Sequence, residues 1–479
     1  MSGNDYEVII GLEVHAQLRT KTKVFCSCAA EFGAEPNTNV CPVCLGLPGS
    51  LPVLNREVVN QALKVAAALG CEINSRSVFA RKNYFYPDLP KGYQISQYDR
   101  PLAESGKLGV PTEQGDTKWV RVVRVHLEED AGKLIHGETE SFVDYNRCGV
   151  PLVEIVSAPD LRSTQEAAEY VRQLRLTLRY LGVCEGNMEK GELRCDANVS
   201  IRKKGATSLG TKTEVKNLNS FKSLQRALEY EVARQIELVA HGEKILQETR
   251  LWDSTKNETF SMRSKEEAHD YRYFPEPDLV FLDVDRAMVE DVKAKISELS
   301  IFKWERLQKQ YALTPNQARI LINSPKLADY YESVAEISHN PKKAANWILT
   351  EILKRLGDVE AAEDVDIPIS AEHLAEVIEL VESGRISQMQ AKNVLDEAIE
   401  SKKSPKDIVK SKGLEKIEDK GEIERWVDEA IAENPKEAET YRGGKQGVLG
   451  FFVGCVMKKS GGKADPKVTN ELLRKKLGG

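Results

Sequence analysis

Strict alternation of polar and apolar residues marks several segments of this chain as strands with one ionic face. The clearest example is Glu192–Arg202, ELRCDANVSIR, in which charged and polar side chains take every second position and apolar ones take the others. Successive side chains of a strand point to opposite faces, so this period predicts a strand that is polar on one side. The simplest interpretation is that the polar side contacts solvent, as in many antiparallel sheets.

Three further segments share this period and add histidine to the acids. A face that is merely solvated usually mixes lysine, threonine and serine with its acids, whereas these faces bring histidine beside glutamate. That combination indicates a metal site. The polar positions are Glu13, His15 and Gln17 in YEVIIGLEVHAQL, Arg124, His126, Glu128 and Asp130 in VVRVHLEEDAGK, and Glu154 in GVPLVEIVS.

Helix start signals separate some of these strands. Asn55 is a predicted N-cap for a helix that stops at Gly70, and Ser220 precedes a third helical pattern. Ser163 and Glu166 have the spacing of a capping box, in which each side chain accepts the other residue's backbone N–H. Strands and helices do not alternate regularly, so we expect an α+β fold with a largely antiparallel sheet.

The chain divides into three predicted domains. Residues 1–293 form the sheet-containing domain, which the proline-rich FPEPDL segment interrupts near its end. Residues 294–408 show amphipathic helical patterns throughout and predict an all-α domain. Residues 409–479 contain shorter helical patterns, with Asp465 and Pro466 as the start signal of a last basic helix, and predict a small tail domain.

Charge is distributed unevenly along the 479 residues. The net charge is −6, yet residues 442–479 hold nine Lys or Arg against two Asp or Glu, so this end carries +7 and the remainder −13. A basic end of this kind indicates a polyanionic partner, usually nucleic acid. A basic helix that is simply solvated is the alternative.

Localisation signals are lacking in the sequence. The longest apolar run, GVLGFFVGCVM, is too short to cross a bilayer, and the N-terminus has no signal-peptide or transit-peptide pattern. Most of the nine cysteines fall within predicted strands and helices, which is typical of a reducing compartment. We therefore expect a cytoplasmic protein without a membrane partner.

Four cysteines have the spacing of a zinc site: Cys26, Cys28, Cys41 and Cys44 follow the pattern CxC, twelve residues, CxxC. Four thiolates can close a tetrahedron around Zn²⁺ and leave no position for substrate, so we expect the ion to be structural. Four reduced thiols in a loop are the alternative.

A nucleotide site would have to lie outside the familiar glycine loops. Neither GxxxxGK[ST] nor GxGxxG occurs, so any ATP phosphates must be held by metal and by separate basic side chains. Glu13, Glu128, Glu154 and Asp196 are the candidate Mg²⁺ ligands. His15 is an unusual Mg²⁺ ligand, which leaves weak ligation, a hydrogen bond to bound water, or tolerance of Mn²⁺ as its roles. The basic candidates facing phosphate are Arg147, Arg194 and Lys216.

An aromatic segment adds a candidate base-binding surface. KNYFYPDLPKGYQISQYD combines Lys82 and Tyr84 with further tyrosines and lysines. Aromatic faces beside lysine can stack a base and hold its phosphate. A tyrosine-rich loop that packs on its own sheet is an equally good interpretation.

Eight motifs together resemble one family, the B subunits of the bacterial aspartyl/glutamyl-tRNA(Asn/Gln) amidotransferases. They occur in one order between about residues 7 and 477, which makes the resemblance highly specific. The motifs are GLEVHAQL, CPVCLGLPG, KNYFYPDLPKGYQISQ, DYNRCGVPLVEIVS, GELRCDANVSI, TEVKNLNSF, DYRYFPEPDL and GFFVGCVMK.

The resemblance implies an ATP-dependent carbon–nitrogen ligase that works as a heterotrimer. Its B subunit would use ATP and Mg²⁺ to phosphorylate the side-chain carboxylate of Glu-tRNA(Gln) or Asp-tRNA(Asn). The glutaminase/amidase partner, or A subunit, would deliver the ammonia, and a small C subunit would complete the complex. The family's fold implies a cradle-shaped N-terminal domain, a helical domain and a flexible tail domain that contacts the tRNA.

By similarity to the family, the catalytic and binding residues fall on the polar strand faces. The family's metal residues correspond to Glu13, His15, Glu128, Glu154 and Asp196. Arg194 and Lys216 join the catalytic set, and Lys82, Tyr84, Arg147 and Asn198 join Asp196 as expected ATP-binding residues.

Two other functions remain compatible with parts of the sequence. A noncatalytic tRNA-binding module would need only the basic end and the zinc site, but it leaves the four carboxylates without a role because they repel a phosphate backbone. A self-sufficient ligase using free ammonium would keep the ATP site and dispense with the partner proteins.

Overall fold

The computed structural model of the chain describes residues 5–137, 139–264, 271–356, 366–414, 420–461 and 464–478. Two compact units comprise Met1–Gln310 and Tyr311–Gly479. The strands belong to the first unit, and the second is helical. The expected α+β class is therefore confirmed, while the domain boundaries at residues 293/294 and 408/409 stay predictions.

Antiparallel pairing dominates the first unit. In the described residues the main sheet has nine strands, and only its β12 and β13 run parallel. Its spatial order is β14-β13-β12-β11-β1-β10-β7-β6-β2, and smaller sheets are β15-β4-β5, β16-β3 and β8-β9. In chain order the strands are β1 (Tyr6–Gln17), β2 (Glu72–Ile73), β3 (Arg76–Ser77), β4 (Phe79–Asn83), β5 (Tyr93–Gln97), β6 (Ala103–Pro111), β7 (Thr117–Glu129), β8 (Lys133–His136), β9 (Ser141–Asp144), β10 (Pro151–Ser157), β11 (Leu193–Lys203), β12 (Thr213–Lys216), β13 (Glu248–Asp253), β14 (Glu258–Ser264), β15 (Phe274–Pro275) and β16 (Leu282–Asp283).

Helices cover the apolar face of the main sheet. Alternate residues of β1, such as Leu12 and Val14, are buried in one core with Leu63, Leu174 and Leu228 from three different helices. The intervening residues of the strands must then face the opposite side. The helices of this unit are α1 (Arg56–Ala68), α2 (Thr164–Tyr180), α3 (Phe221–Ala240), α4 (Arg286–Ala294) and α5 (Ser300–Tyr311).

The predicted helix starts are confirmed at Asn55, Ser163 and Ser220, whose side chains each accept a backbone N–H of the first turn. The predicted capping box is only half formed. Glu166 does not reach back to Ser163; its carboxylate accepts the N–H of Arg162 at 2.8 Å and the Lys118 ammonium at 2.6 Å. The charged partner on β7 draws the carboxylate away from the cap.

The second unit consists of short capped helices. A separate small core joins α13–α16 of its C-terminal part through buried residues such as Val427, Phe452 and Leu473. Asp465 caps the last helix as predicted. No helix among the described residues combines the length and apolarity that a bilayer crossing requires. The helices are α6 (Pro315–Leu321), α7 (Pro325–Ser338), α8 (Pro341–Trp347) continuing through a π-helical turn (Ile348–Ile352) into α9 (Leu353–Leu356), α10 (Ala371–Glu382), α11 (Gln388–Ser401), α12 (Pro405–Ser411), α13 (Lys420–Glu433), α14 (Pro435–Arg442), α15 (Leu449–Lys459) and α16 (Pro466–Leu477).

Truncation of a core residue behind the polar face should destabilise the first unit. We expect Leu12→Ala, at a position 1% exposed, to cost about 2–5 kcal/mol through lost burial and an unfilled cavity. Leu209→Ala, the same change at a position 60% exposed, should change stability by less than about 0.5 kcal/mol. Differential scanning calorimetry of both variants measures this, and equal midpoints would contradict the assigned core face.

Candidate active site and metal centres

Cross-strand register brings the polar residues of four strands together. His15 of β1 lies opposite Arg194 of β11 on one side and opposite Glu154 of β10 on the other. Glu154 in turn lies opposite His126 of β7. Directly opposed residues of antiparallel strands point to the same face, so these side chains form one continuous polar surface.

The centre of this surface is a cluster of His15, Glu128 and Glu154. His15 Nε2 lies 3.3 Å from a carboxylate oxygen of Glu128 and 3.3 Å from one of Glu154. His126 Nε2 approaches the same Glu154 oxygen at 3.1 Å. Glu128 is buried, and the Ser96 hydroxyl donates to it at 3.3 Å. One ligand atom from each of the three cluster residues lies within 4.8 Å of the other two.

The three cluster residues shift one another's proton affinity. Burial lowers the pKa of His15, but the adjoining Glu128 and Glu154 outweigh burial and raise that pKa to about 10. Burial raises the pKa of Glu154, yet His126 and His15 together hold this pKa below its usual value. Burial likewise acts against His15 at Glu128, whose pKa is also lowered. Both carboxylates are therefore ionised and available to a cation at neutral pH.

A second acidic group adjoins the cluster. Glu13 lies opposite Asp196 across β1 and β11, and the Asn198 amide donates to Glu13 at 2.9 Å. Burial raises the pKa of Glu13, and the nearby Glu154, Glu214 and Asp196 raise this pKa further. Lys216 contacts Asp196 at 2.5 Å and Glu214 at 3.2 Å, so the lysine offsets part of this charge.

The donor set of the central cluster fits a divalent cation. Neighbouring ligands of an octahedral Mg²⁺ ion, bound at about 2.1 Å, lie about 3.0 Å apart. The separations of 3.3 Å between His15 and the two carboxylates are close to that value. Two buried polar atoms on the same surface, Arg194 Nε and Asn198 Oδ1, have no hydrogen-bond partner among the described residues. Buried polar atoms are normally satisfied, so these two are suited to a bound group.

Two predicted phosphate-facing arginines meet at Asp130. Arg194 contacts this buried carboxylate at 2.9 Å and Arg147 at 3.5 Å, while the Gln17 amide donates to it at 3.1 Å. Arg147 also donates to the backbone carbonyls of Ala131 and Gly132. These bonds fix Arg147 at the turn that follows β7, whereas Arg194 keeps a more open side chain, 37% exposed.

The predicted aromatic segment borders the acidic surface. Lys82 Nζ lies 5.0 Å from the ring centre of Tyr271 and 5.9 Å from that of Tyr84, and the two rings meet edge to face. Burial raises the pKa of Tyr84, and the charges of Asp88 and Glu128 add to the rise. Tyr84 is therefore close enough to feel the central carboxylates.

The four predicted zinc cysteines converge. Cys26, Cys28, Cys41 and Cys44 each offer a sulfur atom within 4.8 Å of the other three. Tetrahedral thiolates bound to Zn²⁺ at about 2.3 Å lie about 3.8 Å apart, so the cluster fits this ion. The Cys41 N–H donates to Cys44 Sγ at 3.2 Å. A hydrogen bond from Cys26, this backbone N–H and the nearby Lys23 charge lower the pKa of Cys44 to about 4 despite burial.

The opposite face of β7 adjoins the four-cysteine loop. Glu129 follows Glu128 in the chain but forms a buried ion pair with Lys91 and accepts the N–H of Ile95 at 2.9 Å. A cavity beside this pair is lined by Cys26, Cys44, Lys91 and Glu129. Two consecutive glutamates thus serve different surroundings.

Sequence reasoning selected neither His126 nor Asp130 as a site residue. Both follow the same two-residue period as Glu128, so their shared face was visible in the sequence. What was missing was the register, which alone brings His126 to Glu154 and Asp130 to Arg194. Tyr271 gave no periodic signal, because it lies in an irregular segment distant in sequence from Lys82.

Two family models match the chain. The model described as "GatB/GatE catalytic domain" matches residues 8–290, and the one described as "GatB domain" matches residues 329–477. The first match includes every polar strand position of the acidic surface. The second covers most of the helical unit.

Curated relatives match along their full length. Proteins named as the B subunit of an aspartyl/glutamyl-tRNA(Asn/Gln) amidotransferase are similar to this chain in several organisms. The one from Carboxydothermus hydrogenoformans is 53% identical over 478 residues, with 99% of both chains covered. That from Persephonella marina is 50% identical, with 99% of this chain and all of the relative covered, and that from Thermodesulfovibrio yellowstonii is 53% identical, with 98% and 99% covered.

Loss of one cluster carboxylate should weaken binding of a divalent cation. We expect Glu154→Gln to lower affinity for Mn²⁺, a paramagnetic substitute for Mg²⁺, by more than about tenfold, since losing even an outer partner of a metal ligand costs that much. Electron paramagnetic resonance of free Mn²⁺ measures the affinity without any catalysed reaction. Glu214→Gln is the matched control in the second acidic group; a larger effect there would move the cation site away from His15.

Proposed function

The chain belongs to the family of aspartyl/glutamyl-tRNA(Asn/Gln) amidotransferase B subunits, and from that premise we propose that the acidic surface of its sheet activates the aminoacyl side chain. It is one component of a ligase that converts Glu-tRNA(Gln) or Asp-tRNA(Asn) to the amide with ATP. The A and C subunits complete the enzyme, and the A subunit supplies ammonia from glutamine. The residues below are our assignment of that reaction to this chain.

The chemistry requires charge compensation. A substrate carboxylate attacking the γ-phosphoryl group of ATP is an anion approaching another anion, so cations must offset the charge on both reactants. Mg²⁺, when bound, supplies that charge and bridges phosphate oxygens to protein carboxylates. The acyl phosphate formed is easily hydrolysed, which favours a site partly shielded from water.

One observation carries the assignment: a single imidazole nitrogen of His15 lies 3.3 Å from two carboxylates that come from two other strands. Two ionised carboxylates at this separation repel each other unless a cation or proton lies between them. A purely solvated surface has no need for this buried arrangement. We assign His15, Glu128 and Glu154 as the principal ligands of Mg²⁺, with Glu13 and Asp196 beside them.

Basic and polar side chains around the cluster complete the proposed site. Arg194, oriented by Asp130 at 2.9 Å, has the exposure to bind the γ-phosphoryl group or the substrate carboxylate. Lys216 is the second cation near the acids, and Asn198 holds Glu13 by its amide. These groups can neutralise developing negative charge without moving, which is the usual source of electrostatic catalysis.

The aromatic border is our candidate for the nucleotide base and its phosphate. Lys82 lies against Tyr84 and Tyr271, and Tyr84 is close enough to sense Glu128. Stacking against an aromatic ring with a lysine beside it suits an adenine nucleotide. Arg147 has three partners in its own turn, so its role in this proposal is to shape the wall near Asp130.

The four-cysteine cluster is proposed as a structural Zn²⁺ site. Four thiolates complete tetrahedral coordination, which leaves no open position for substrate or water. Its place in the function is to shape the loop that follows β1. The loop also contributes to the cavity beside Glu129.

The C-terminal helices are the proposed tRNA-binding part. Arg442, Lys445, Lys458, Lys467, Arg474 and Lys475 are exposed. Lys459 and Lys476, by contrast, form ion pairs with acids of α13, which include Glu429, Glu433 and Asp428. The exposed set, rather than the whole basic count, is available to phosphate groups.

Removal of one central carboxylate should abolish side-chain activation. In the assembled complex, with ammonium chloride as nitrogen donor, we expect Glu128→Gln to lower kcat/KM for Glu-tRNA(Gln) by at least about 100-fold, the scale of losing a group that stabilises developing charge. Ammonium bypasses the glutaminase, so the assay reports the activation step. Release of inorganic phosphate and formation of Gln-tRNA(Gln) are measured together.

Glu129→Gln is the neighbouring control for burial alone, because Glu129 lies on the other face with Lys91. A filter-binding assay should show tRNA affinity within about threefold of the wild type for Glu128→Gln, a small change on the scale of one phosphate contact. If tRNA affinity falls in parallel with activity, the acids are structural and the assignment is wrong.

Loss of the C-terminal helices should weaken tRNA binding and leave the chemistry intact. We expect deletion of residues 415–479, which spares α12 and its buried Ile408 and Val409, to raise KM for charged tRNA with little change in kcat. The lost contacts are to phosphates, so the salt dependence of binding should also become shallower. Steady-state kinetics over a range of tRNA concentrations, at two salt concentrations, measures both effects.

Two double variants separate phosphate contact from helix stability. Lys458→Gln with Lys475→Gln removes exposed charges and should lower the salt slope by about 2. Lys459→Gln with Lys476→Gln removes charges already paired with α13 and should leave the slope nearly unchanged. Equal effects of the two pairs would argue against a phosphate contact by the exposed set.

A further inference from the structure

One lysine is enclosed completely beside the four-cysteine cluster. Lys23 has no exposed surface and is among the largest fully buried side chains of the chain. Lysine is rarely buried without a partner, because removing an ammonium group from water costs several kcal/mol. Its surroundings should therefore contain a compensating negative charge.

The contacts of Lys23 Nζ identify that compensating group. Nζ donates to the backbone carbonyl of Asn39 at 2.7 Å and lies 3.7 Å from Cys44 Sγ. A carbonyl satisfies hydrogen bonding but carries no net charge. Within the described part of the chain, the ion pairs of Asp and Glu side chains do not include Lys23, and the neighbouring Lys91 and Glu129 pair with each other. The thiolate of Cys44 is the anionic partner that remains.

The backbone around the cluster holds the ammonium group against this sulfur. Lys23 N–H donates to the Cys28 carbonyl at 3.0 Å, which ties the lysine to the turn that carries Cys26 and Cys28. The Val24 N–H donates to the carbonyl of Gly149, and Gly149 leaves room for the lysine stem: a Cβ there would lie 3.5 Å from Lys23 Cδ and 3.6 Å from Cys44 Cβ. The lysine is built into the loop at both ends of its side chain.

Four thiolates around one Zn²⁺ carry two more negative charges than the ion neutralises. A buried dianion is unfavourable unless nearby donors and cations spread its charge. The Cys41 N–H and the Lys23 ammonium both reach the same sulfur, Cys44 Sγ. Of the two, the ammonium alone adds a full positive charge.

We propose that Lys23 is the charge-compensating partner of the Zn²⁺ site, acting through Cys44 to tighten zinc binding and to lower the reactivity of the bound thiolate. The inference rests on the proposed zinc site and assigns it a further residue. Lys23 is a positioning and electrostatic residue, since it contacts the ligand sulfur rather than the ion.

The test compares Lys23→Met, which keeps the approximate length and removes the charge, with Lys23→Gln, which also keeps an N–H donor for the Asn39 carbonyl. Lys21→Met, an exposed position two residues earlier, is the matched control. In the full-length protein within its complex, zinc content is measured after purification. A chromophoric chelator then measures zinc affinity by competition, and a disulfide reagent measures the rate of thiolate attack and zinc release.

Both Lys23 variants should bind zinc about 10- to 100-fold more weakly than wild type, the usual cost of losing a partner of a metal ligand. They should also release it faster to the disulfide reagent, while Lys21→Met matches wild type. With Co²⁺ in place of Zn²⁺, the sulfur-to-metal charge-transfer band should move to longer wavelength in both variants, because a thiolate without the ammonium gives up an electron more easily.

The outcomes distinguish the two levels of the proposal. A wild-type protein that retains no zinc removes the zinc site itself. Wild-type protein that holds one zinc, together with Lys23 variants within twofold of its affinity and with an unshifted cobalt band, overturns the role of Lys23. Weak binding by Lys23→Met alone, with Lys23→Gln like wild type, also overturns it, because a hydrogen bond and not the charge would then be responsible. If Lys23→Met does not fold, Lys23→Gln decides the question by the same measurements.

Discussion

Pairing of β1 with β10 on one side and β11 on the other is the constraint on which the proposed active site depends. Each of these strands contributes few ionisable groups, and none by itself suffices to hold a metal ion. The antiparallel registers set His15 opposite both Glu154 and Arg194, so that groups more than a hundred residues apart in sequence become neighbours. A shift by one residue in either register would turn the acids of one strand into the core.

The core behind β1 and the acidic surface in front of it are therefore two results of the same alternation. Leu12 and Val14 fix the strand against the helices, and this fixes where Glu13 and His15 point. The surface would be electrostatically unstable if its acids were merely adjacent. Imidazole, guanidinium and ammonium groups stand between them, and the remaining excess of negative charge is what suits a divalent cation.

The sequence predicted much of this and missed a definable part. Period-two patterns identified the polar faces of four strands, and helix caps at Asn55, Ser163 and Ser220 were predictable because capping is local chemistry. Pairwise geometry was not predictable, because register depends on which strands meet. For this reason the roles of His126 and Asp130 emerged only from the fold, and the Glu166 carboxylate bound Lys118 instead of closing a capping box. Tyr271 lies in an irregular segment and offered no pattern at all.

Consecutive glutamates at the end of β7 link the two proposed metal centres mechanically. Glu128 belongs to the cluster with His15, while Glu129, one peptide bond further on, is anchored to Lys91 in the cavity that Cys26 and Cys44 help to line. Gly46, two residues after Cys44, approaches Lys91 so closely that a Cβ there would collide with it. A rearrangement of the cysteine loop, for instance by oxidation of its thiols, would thus be transmitted through Lys91 and Glu129 to the backbone that aims Glu128. The distant loop acts as a buttress whose failure would be registered as lost catalysis with every active-site side chain still chemically intact.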